Sequence, residues 1–194
     1  MEDYIVRSAQ ESIKVVDAFF RDNTKDVAKA INVIVAALKA GNKVMFCGNG
    51  GSAADAQHLT AEFVNRFQIE RPPLPAIALS TDSSVLTSIG NDYSFDDIFS
   101  KQIRALGKDG DILVAISTSG ASANILKALE QAKRQKMFSI AFLGKDGGAA
   151  RQLADLSLVV PANSTPRIQE AHILLGHIIC EMIDMRLFQN PYEK

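Results

Sequence analysis

The sequence has little of several features that mark particular classes of protein. It contains no tryptophan and two cysteines, and 21 Lys and Arg residues against 22 Asp and Glu leave a formal net charge of -1. A balanced charge without a dense basic run disfavours direct binding of nucleic acid. The two cysteines, Cys47 and Cys180, stand in apolar surroundings, which predicts reduced core residues and a reducing compartment.

Long apolar runs are also missing. No stretch reaches the roughly 18 apolar residues of a membrane-spanning helix, and the acidic start MEDYIVRSAQ lacks the apolar segment of a secretory signal. These absences predict a cytoplasmic protein whose partner is a small molecule or another copy of the chain. With 194 residues, of which 47% are hydrophobic, we expect one domain with a sizeable core.

The chain divides into a helical start, residues 1–40, and an alternating remainder, residues 41–194. Apolar spacing predicts two amphipathic helices over 4–21 and 24–40, separated at Asn23–Thr24. Helical segments are predicted over 53–67, 94–106, 121–135 and 147–154. Between and around them lie five β-rich runs: KVMFC, PAIAL, DILVAI, FSIAFL and LSLVV. This alternation is typical of a doubly wound α/β fold, in which helices cover both faces of a five-stranded parallel sheet.

The last predicted helix, residues 167–188, is apolar on more than one face. A helix of this kind must be buried on nearly every side. In a chain of this size, such burial indicates a subunit interface.

The segment CGNGGSAAD joins a predicted strand to a helix. Gly48, Gly50 and Gly51 permit close backbone approach, and Ser52 can cap the helix that follows. The spacing matches neither a P-loop nor a dinucleotide fingerprint. A tight turn with a helix cap and the wall of a ligand site explain this segment equally well.

The segment ISTSGASAN offers a second strand-to-helix loop. Ser117, Thr118, Ser119 and Ser122 place four hydroxyls around Gly120 at a predicted helix start, without a basic residue among them. Hydroxyls and helix N–H groups together suit a dianionic phosphate, because the helix dipole places its positive end there. We therefore expect phosphate binding at this loop in preference to simple capping.

Two helices carry candidate chemical groups. His58 and Glu62 stand four positions apart and project from one helix face. On the last helix, Gln169 and His177 are separated by about 80° around the axis and about 12 Å along it. By itself, each of these residues is also compatible with an ordinary structural contact.

Five segments, in this order and spacing, carry a resemblance: CGNGGSAADAQHLTAEF, GNDYSFDDIF, AISTSGASANILKAL, LGKDGG and RIQEAHILLGH. Together they resemble the phosphoheptose isomerases of the sugar-isomerase (SIS) fold over nearly the whole chain. The resemblance implies the doubly wound five-stranded sheet and a homotetramer built largely on the terminal helices. It also implies a sugar phosphate, sedoheptulose 7-phosphate, as substrate.

The same resemblance implies a role for each matching position. Glu62 and His177 would be the acid–base pair, and zinc, one ion per subunit, would be held by His58, Glu62, Gln169 and His177. The sugar phosphate would contact a wider set: Asn49, Gly50, Gly51, Ser52, Glu62, Asn91, Asp92, Ser117, Thr118, Ser119, Ser122 and Gln169. Some relatives have an acidic residue where Pro166 stands, so no role for that carboxylate is carried over.

Two other functions remain open at this stage. Three further segments, NRF, ERPPLPAIAL and QIRALG, resemble a non-enzymatic adaptor of the same fold as closely as they resemble the isomerases. That adaptor binds the bacterial replication initiator. A sugar-phosphate-sensing module would need the hydroxyl loop without Glu62 or His177. Presence of the acid–base pair favours the isomerase, an enzyme of lipopolysaccharide heptose synthesis.

Overall fold

A computed structural model describes residues 1–188 as one parallel sheet with helices on both faces. The helices are α1 (Glu2–Lys39), α2 (Gly51–Val64), α3 (Ser83–Asp92), α4 (Ile98–Leu106), α5 (Ala123–Arg134), α6 (Ala150–Leu153) and α7 (Thr165–Phe188), with a 3-10 turn at Phe95–Asp97. The strands are β1 (Val44–Gly48), β2 (Ala76–Ala78), β3 (Ile112–Ser117), β4 (Phe138–Gly144) and β5 (Leu156–Val160). Their spatial order is β2-β1-β3-β4-β5, and every pairing is parallel. The doubly wound fold predicted from the sequence is confirmed.

The order of the strands creates a switch point between β1 and β3. From β1 the chain moves to β2 on one side, and it then returns to β3 on the other side. The loops that leave β1 and β3 therefore diverge at the carboxyl ends of the strands, where open α/β sheets bind ligands.

Alternate residues of each strand supply two apolar layers. One layer joins α1, α2 and α7 to the sheet through side chains such as Phe46, Val114 and Phe142. The other joins α4, α5 and α6 through Met45, Leu113 and similar residues. Burial of both sheet faces explains why the strands read as continuous apolar runs.

The break predicted at Asn23–Thr24 is wrong, because α1 is a single helix. Asn23 Nδ2 and Thr24 Oγ1 donate hydrogen bonds to the carbonyls of Phe19 and Phe20, four residues earlier. Polar side chains that could end a helix thus satisfy carbonyls within it. The later half of α1 also belongs to the core of the chain itself, since Val27, Ala30, Ile31, Ile34, Val35 and Ala37 are buried.

Further boundaries differ from the expectations. The segment over 83–92 forms a helix that the sequence pattern did not predict, and the predicted helix over 94–106 begins with a 3-10 turn. Cys47 and Cys180 are free and buried, as expected. No helix among residues 1–188 is both long enough and apolar enough to span a membrane.

Candidate active site

The candidate site lies at the carboxyl ends of β1 and β3, where the two loops identified from the sequence begin. Gly48, the last residue of β1, pairs in register with Ile116 of β3. The glycine loop and the hydroxyl loop therefore start side by side at one edge of the sheet.

The glycine loop is shaped for close approach. Gly50 has a φ of 53°, which favours glycine. A methyl group on Gly51 would lie 2.2 Å from Gln169 Nε2, so Gln169 of α7 rests directly on this loop. The expected cap at Ser52 is wrong: Gly50 is the N-cap, and Ser52 is buried inside the first turn of α2.

The two loops are tied together by a pair of amides. Asn49 Nδ2 donates to Asn124 Oδ1, and Asn124 Nδ2 donates back to Asn49 Oδ1, each at 2.9 Å. Asn124, on α5, is 2% exposed. The Asn49 side chain thus joins the loops, and Asn124 is a site residue that the sequence pattern did not single out.

The hydroxyl loop keeps part of its hydrogen-bonding capacity free of internal contacts. Ser117 Oγ accepts from the Gly120 N–H at 3.0 Å, and Ser119 Oγ accepts from Ala121 N–H at 3.3 Å. Ser122 is the N-cap residue of α5, yet its side chain makes no cap hydrogen bond. The unpaired N–H groups of the first turn of α5 open at the same place.

Three predicted groups converge within one chain. His58 Nε2 lies 2.8 Å from His177 Nε2 and 3.4 Å from Glu62 Oε1. The His58 side chain is 47% exposed and that of Glu62 is 21% exposed. A partly open cluster of two imidazoles and one carboxylate is well suited to proton transfer.

His177 also has an aromatic neighbour that the sequence pattern did not assign to the site. The Phe67 ring stacks on the imidazole, with centroids 5.5 Å apart and an interplanar angle of 26°. The ring of His177 thus contacts His58 of α2 and Phe67 of the segment that follows α2.

The proposed metal ligands are only partly brought together. Gln169 rests on Gly51, and no hydrogen bond within residues 1–188 joins it to His58, Glu62 or His177. In that described part of the chain, no group of three or more His, Cys, Asp or Glu side chains is arranged to hold a metal ion. The ring nitrogens of His58 and His177 face each other and share one hydrogen bond instead.

Asn91 and Asp92 occupy the last turn of α3. Both residues are exposed, and Asn91 Nδ2 donates to Asp92 Oδ1 at 2.9 Å. Among the hydrogen bonds of the described residues, none connects this pair to the histidine cluster.

Two ionisable groups near the cluster, the partly buried Asp55 and the buried Cys180, have shifted pKa values. Burial raises the pKa of the Asp55 carboxyl, while the nearby His58 lowers it to a smaller extent. Burial raises the pKa of the Cys180 thiol to about 12, and the charges of Glu62 and Asp184 add to that effect. Cys180 therefore stays protonated and is no candidate for a nucleophile.

Comparisons with known proteins agree in both sequence and structure. A sequence model of the SIS domain family matches residues 9–144. A phosphoheptose isomerase from Thermodesulfovibrio yellowstonii is 50% identical over 194 residues, covering 100% of this chain and 96% of the relative. The solved structure of phosphoheptose isomerase GmhA from Neisseria gonorrhoeae is 44% identical, with a TM-score of 0.89 over 94% of this chain and 98% of its own. That of a phosphoheptose isomerase from Francisella tularensis is 42% identical, with a TM-score of 0.91 over 94% and 97%.

Proposed function

Since this chain belongs to the phosphoheptose isomerase family of SIS-domain proteins, we propose that it converts sedoheptulose 7-phosphate into D-glycero-D-manno-heptose 7-phosphate. The observation that carries the proposal is the convergence of Glu62, His58 and His177 within one chain. The product serves the synthesis of the heptose in lipopolysaccharide.

The phosphate group of the substrate is assigned to the hydroxyl loop. Thr118, Ser119 and Ser122 donate to its oxygens together with the first N–H groups of α5, while the Ser117 hydroxyl keeps the loop folded through Gly120. The positive end of the α5 dipole compensates the dianion where no basic side chain lies in the loop.

The sugar lies between this loop and the histidine cluster. Gly50, where an added Cβ would meet nothing within 4 Å, leaves room for the chain of the sugar, Asn49 and Ser52 shape that wall, and Gln169 packs on Gly51 from α7. We assign hydroxyl recognition to Asn91 and Asp92 by the same family correspondence, although both are exposed in the single chain.

Glu62 and His177 perform the proton transfers. Glu62 removes a proton from C1 of the open-chain ketose, the electron pair forms the C1–C2 double bond of an enediol, and His177 exchanges the proton between the two oxygens. Glu62 then returns its proton to C2, which gives the aldose. Each step conserves atoms and charge and requires only one carboxylate and one imidazole.

Zinc is proposed as the cofactor, with His58, Glu62, Gln169 and His177 as its ligands. The chemistry of the donor set suits zinc, because imidazole nitrogens with carboxylate and amide oxygens form a mixed N/O group that zinc accepts, and three of the four residues, His58, Glu62 and His177, already lie together. When bound, the ion would polarise the carbonyl oxygen of the sugar. Zinc measured after dialysis should approach one ion per subunit and should fall in His58→Ala. Protein that retains no zinc would contradict this assignment.

We further propose a cytoplasmic homotetramer. Tyr4, Ile5, Val6 and Ile13 of α1 are each more than half exposed in the single chain, and Leu174 and Met185 leave apolar surface on α7. Exposed apolar surface of this extent supports contacts between copies. The two free, buried cysteines are compatible with a reducing compartment.

Incubation of the purified protein with sedoheptulose 7-phosphate tests the reaction. We expect aldose 7-phosphate to form and, when the reaction runs in heavy water, solvent deuterium at C2 in the fraction of turnovers in which the Glu62 carboxyl exchanges its proton before returning it. An unchanged ketose, with and without added zinc, would rule out the reaction. Retained initiator binding in such a protein would instead support the adaptor.

A further inference from the structure

The connection between α2 and β2 carries an arginine that contacts both helices of the candidate site. Arg71 Nε donates to Asp184 Oδ1 of α7 at 2.8 Å. Its Nη2 donates to the Glu62 carbonyl at 2.7 Å, and its Nη1 donates to the Phe63 carbonyl at 2.8 Å. One guanidinium therefore binds the end of α2 and a carboxylate of α7 at the same time.

The contacts on α2 are made to carbonyls that the helix cannot satisfy itself. The last four carbonyls of an α-helix lack intrahelical partners, and a cation near them is favourable. Arg71 Nη1 also reaches the Asn65 carbonyl, the C-cap of α2, at 3.3 Å. The planar guanidinium of arginine can donate to several carbonyl oxygens at once, whereas the lysine ammonium is a single point charge.

The contact on α7 lies on the same side as the candidate catalytic histidine. Asp184 follows His177 by seven positions, which is about two helical turns and a rotation of about 20°. One residue before His177 the helices touch closely, since a methyl group on Gly176 would lie 2.4 Å from Leu59 Cδ2. The interface of α2 and α7 is thus joined at His58–His177, at Leu59–Gly176 and at the Arg71–Asp184 pair.

The ion pair has no access to substrate. The side chains of Arg71 and Asp184 are 2% and 4% exposed, and within residues 1–188 Asp184 Oδ2 has no hydrogen-bond partner. We infer that the Arg71–Asp184 ion pair is a positioning device, which sets α2 against α7 and so sets Glu62 and His58 against His177. Its effect on turnover rests on the function proposed above.

Two variants separate positioning from stability. In Arg71→Lys the charge opposite Asp184 remains, but the fork on the α2 carbonyls is lost. In the double variant Arg71→Met/Asp184→Leu both charges are replaced by apolar groups, a change that buried ion pairs often tolerate. If removal of the arginine alone prevents folding, the double variant still allows the positioning role of the ion pair to be tested.

We expect kcat to fall about 10- to 100-fold in the double variant, because a displacement of the order of 1 Å at a reacting group has such effects. The Michaelis constant should stay within about threefold, since the hydroxyl loop follows β3 and does not touch Arg71. The kcat of Arg71→Lys should lie between that of the double variant and that of the unchanged protein.

The imidazole NMR signals give a second measurement that needs no turnover. The chain has three histidines, and His172 is fully buried against the Leu143 carbonyl, away from the ion pair. We expect the signals of His58 and His177 to shift in both variants while the His172 signal stays in place as an internal reference. This arm distinguishes failure of the positioning role from failure of the proposed reaction.

Lys43→Met is the matched control. Lys43 pairs with the fully buried Asp111 at the amino ends of β1 and β3, opposite the candidate site. In this variant Asp111 still accepts hydrogen bonds from the backbone N–H groups of residue 43 and Lys108. This variant loses a partly buried ion pair and should change neither kcat nor the three imidazole signals. The inference would be overturned if folded Arg71 variants kept both kcat and the His58 and His177 signals unchanged. It would also be overturned if their signals shifted only as much as those of Lys43→Met.

Discussion

The hydroxyl loop and the paired helices α2 and α7 fix their functional groups in different ways. In the loop, Ser117 binds the N–H of Gly120 three residues later. In the helix pair, His58 and His177 meet across 119 positions of sequence. The first contact joins residues within one short segment, whereas the second exists only when the whole sheet is assembled.

Charge separates the two regions as well. Residues 117–122 contain no ionisable side chain, so the loop relies on hydroxyls and backbone dipoles. The helix pair combines carboxylates and imidazoles with the partly buried Asp55 and the buried Asp184. Changes in the loop should therefore alter mainly binding, and changes in the helix pair should alter mainly turnover.

The largest effect should come from Glu62→Gln on the helix pair. Loss of the carboxylate removes the base that moves the proton between C1 and C2, and we expect kcat to fall by about 1,000-fold. Isothermal titration with the substrate should show binding within about threefold of the unchanged protein. A variant that retains more than a tenth of the original kcat would show that Glu62 is not the base.

His172 should make the attachment of α7 to the sheet sensitive to acid. Burial lowers the pKa of His172 to about 4 from 6.5, while its hydrogen bond to the Leu143 carbonyl opposes this. The unfolded chain thus binds the proton more readily between these values. The stabilisation is complete above about pH 6.5 and is lost as the pH falls toward 4, by about 3 kcal/mol.

Urea unfolding at several pH values measures this effect. His172→Gln should show a smaller loss of unfolding free energy between about pH 7 and pH 4.5. Equal losses in the two proteins would mean that His172 does not control this acid sensitivity.

Gly120→Ala should damage the hydroxyl loop through its backbone. Gly120 has a φ of 62°, and an added methyl group would lie 1.9 Å from the Gly147 carbonyl oxygen. We expect the free energy of unfolding to fall by about 2 kcal/mol. Gly90→Ala is the control, because Gly90 lies in α3 with open space around it, and this change should leave stability equal or slightly higher.

Ser122→Ala should have the smallest effect and should act on binding. The Ser122 side chain makes no cap hydrogen bond, so its removal leaves α5 intact. Loss of one hydroxyl from the phosphate should raise the Michaelis constant about tenfold. Ser100→Ala on α4 serves as the control, and an unchanged constant in Ser122→Ala would place the phosphate elsewhere.

Local patterns in the sequence predicted most of the framework. The five strands and the helices after β1 and β3 were found because apolar periodicity and glycine clusters act within a few residues. The same reasoning failed at Asn23–Thr24, which the sequence pattern marks as the end of a helix. Both side chains instead donate hydrogen bonds to carbonyls of the preceding turn, and α1 continues. This reasoning also missed α3, whose capping Asp82 accepts from the Val85 N–H without a strong apolar stripe nearby.

The candidate site was predictable in its parts and unpredictable in its connections. The positions of His58, Glu62 and His177 followed from resemblance, and Gln169 was expected beside them. In the structure, Gln169 lies against Gly51. No sequence pattern identifies Asn124, Phe67 and Arg71 as site residues. Their roles depend on contacts with residues that are distant in the sequence.

The amino-acid sequence specifies the alternation of strands and helices, the glycine and hydroxyl loops and the family to which the chain belongs. These follow from interactions between near neighbours and from matched motifs. The folded chain sets which helices share a sheet face, the contact of His58 with His177, and the link that Arg71 makes between α2 and α7. Such contacts join residues far apart along the chain, and they form only where buried apolar surface brings the elements together.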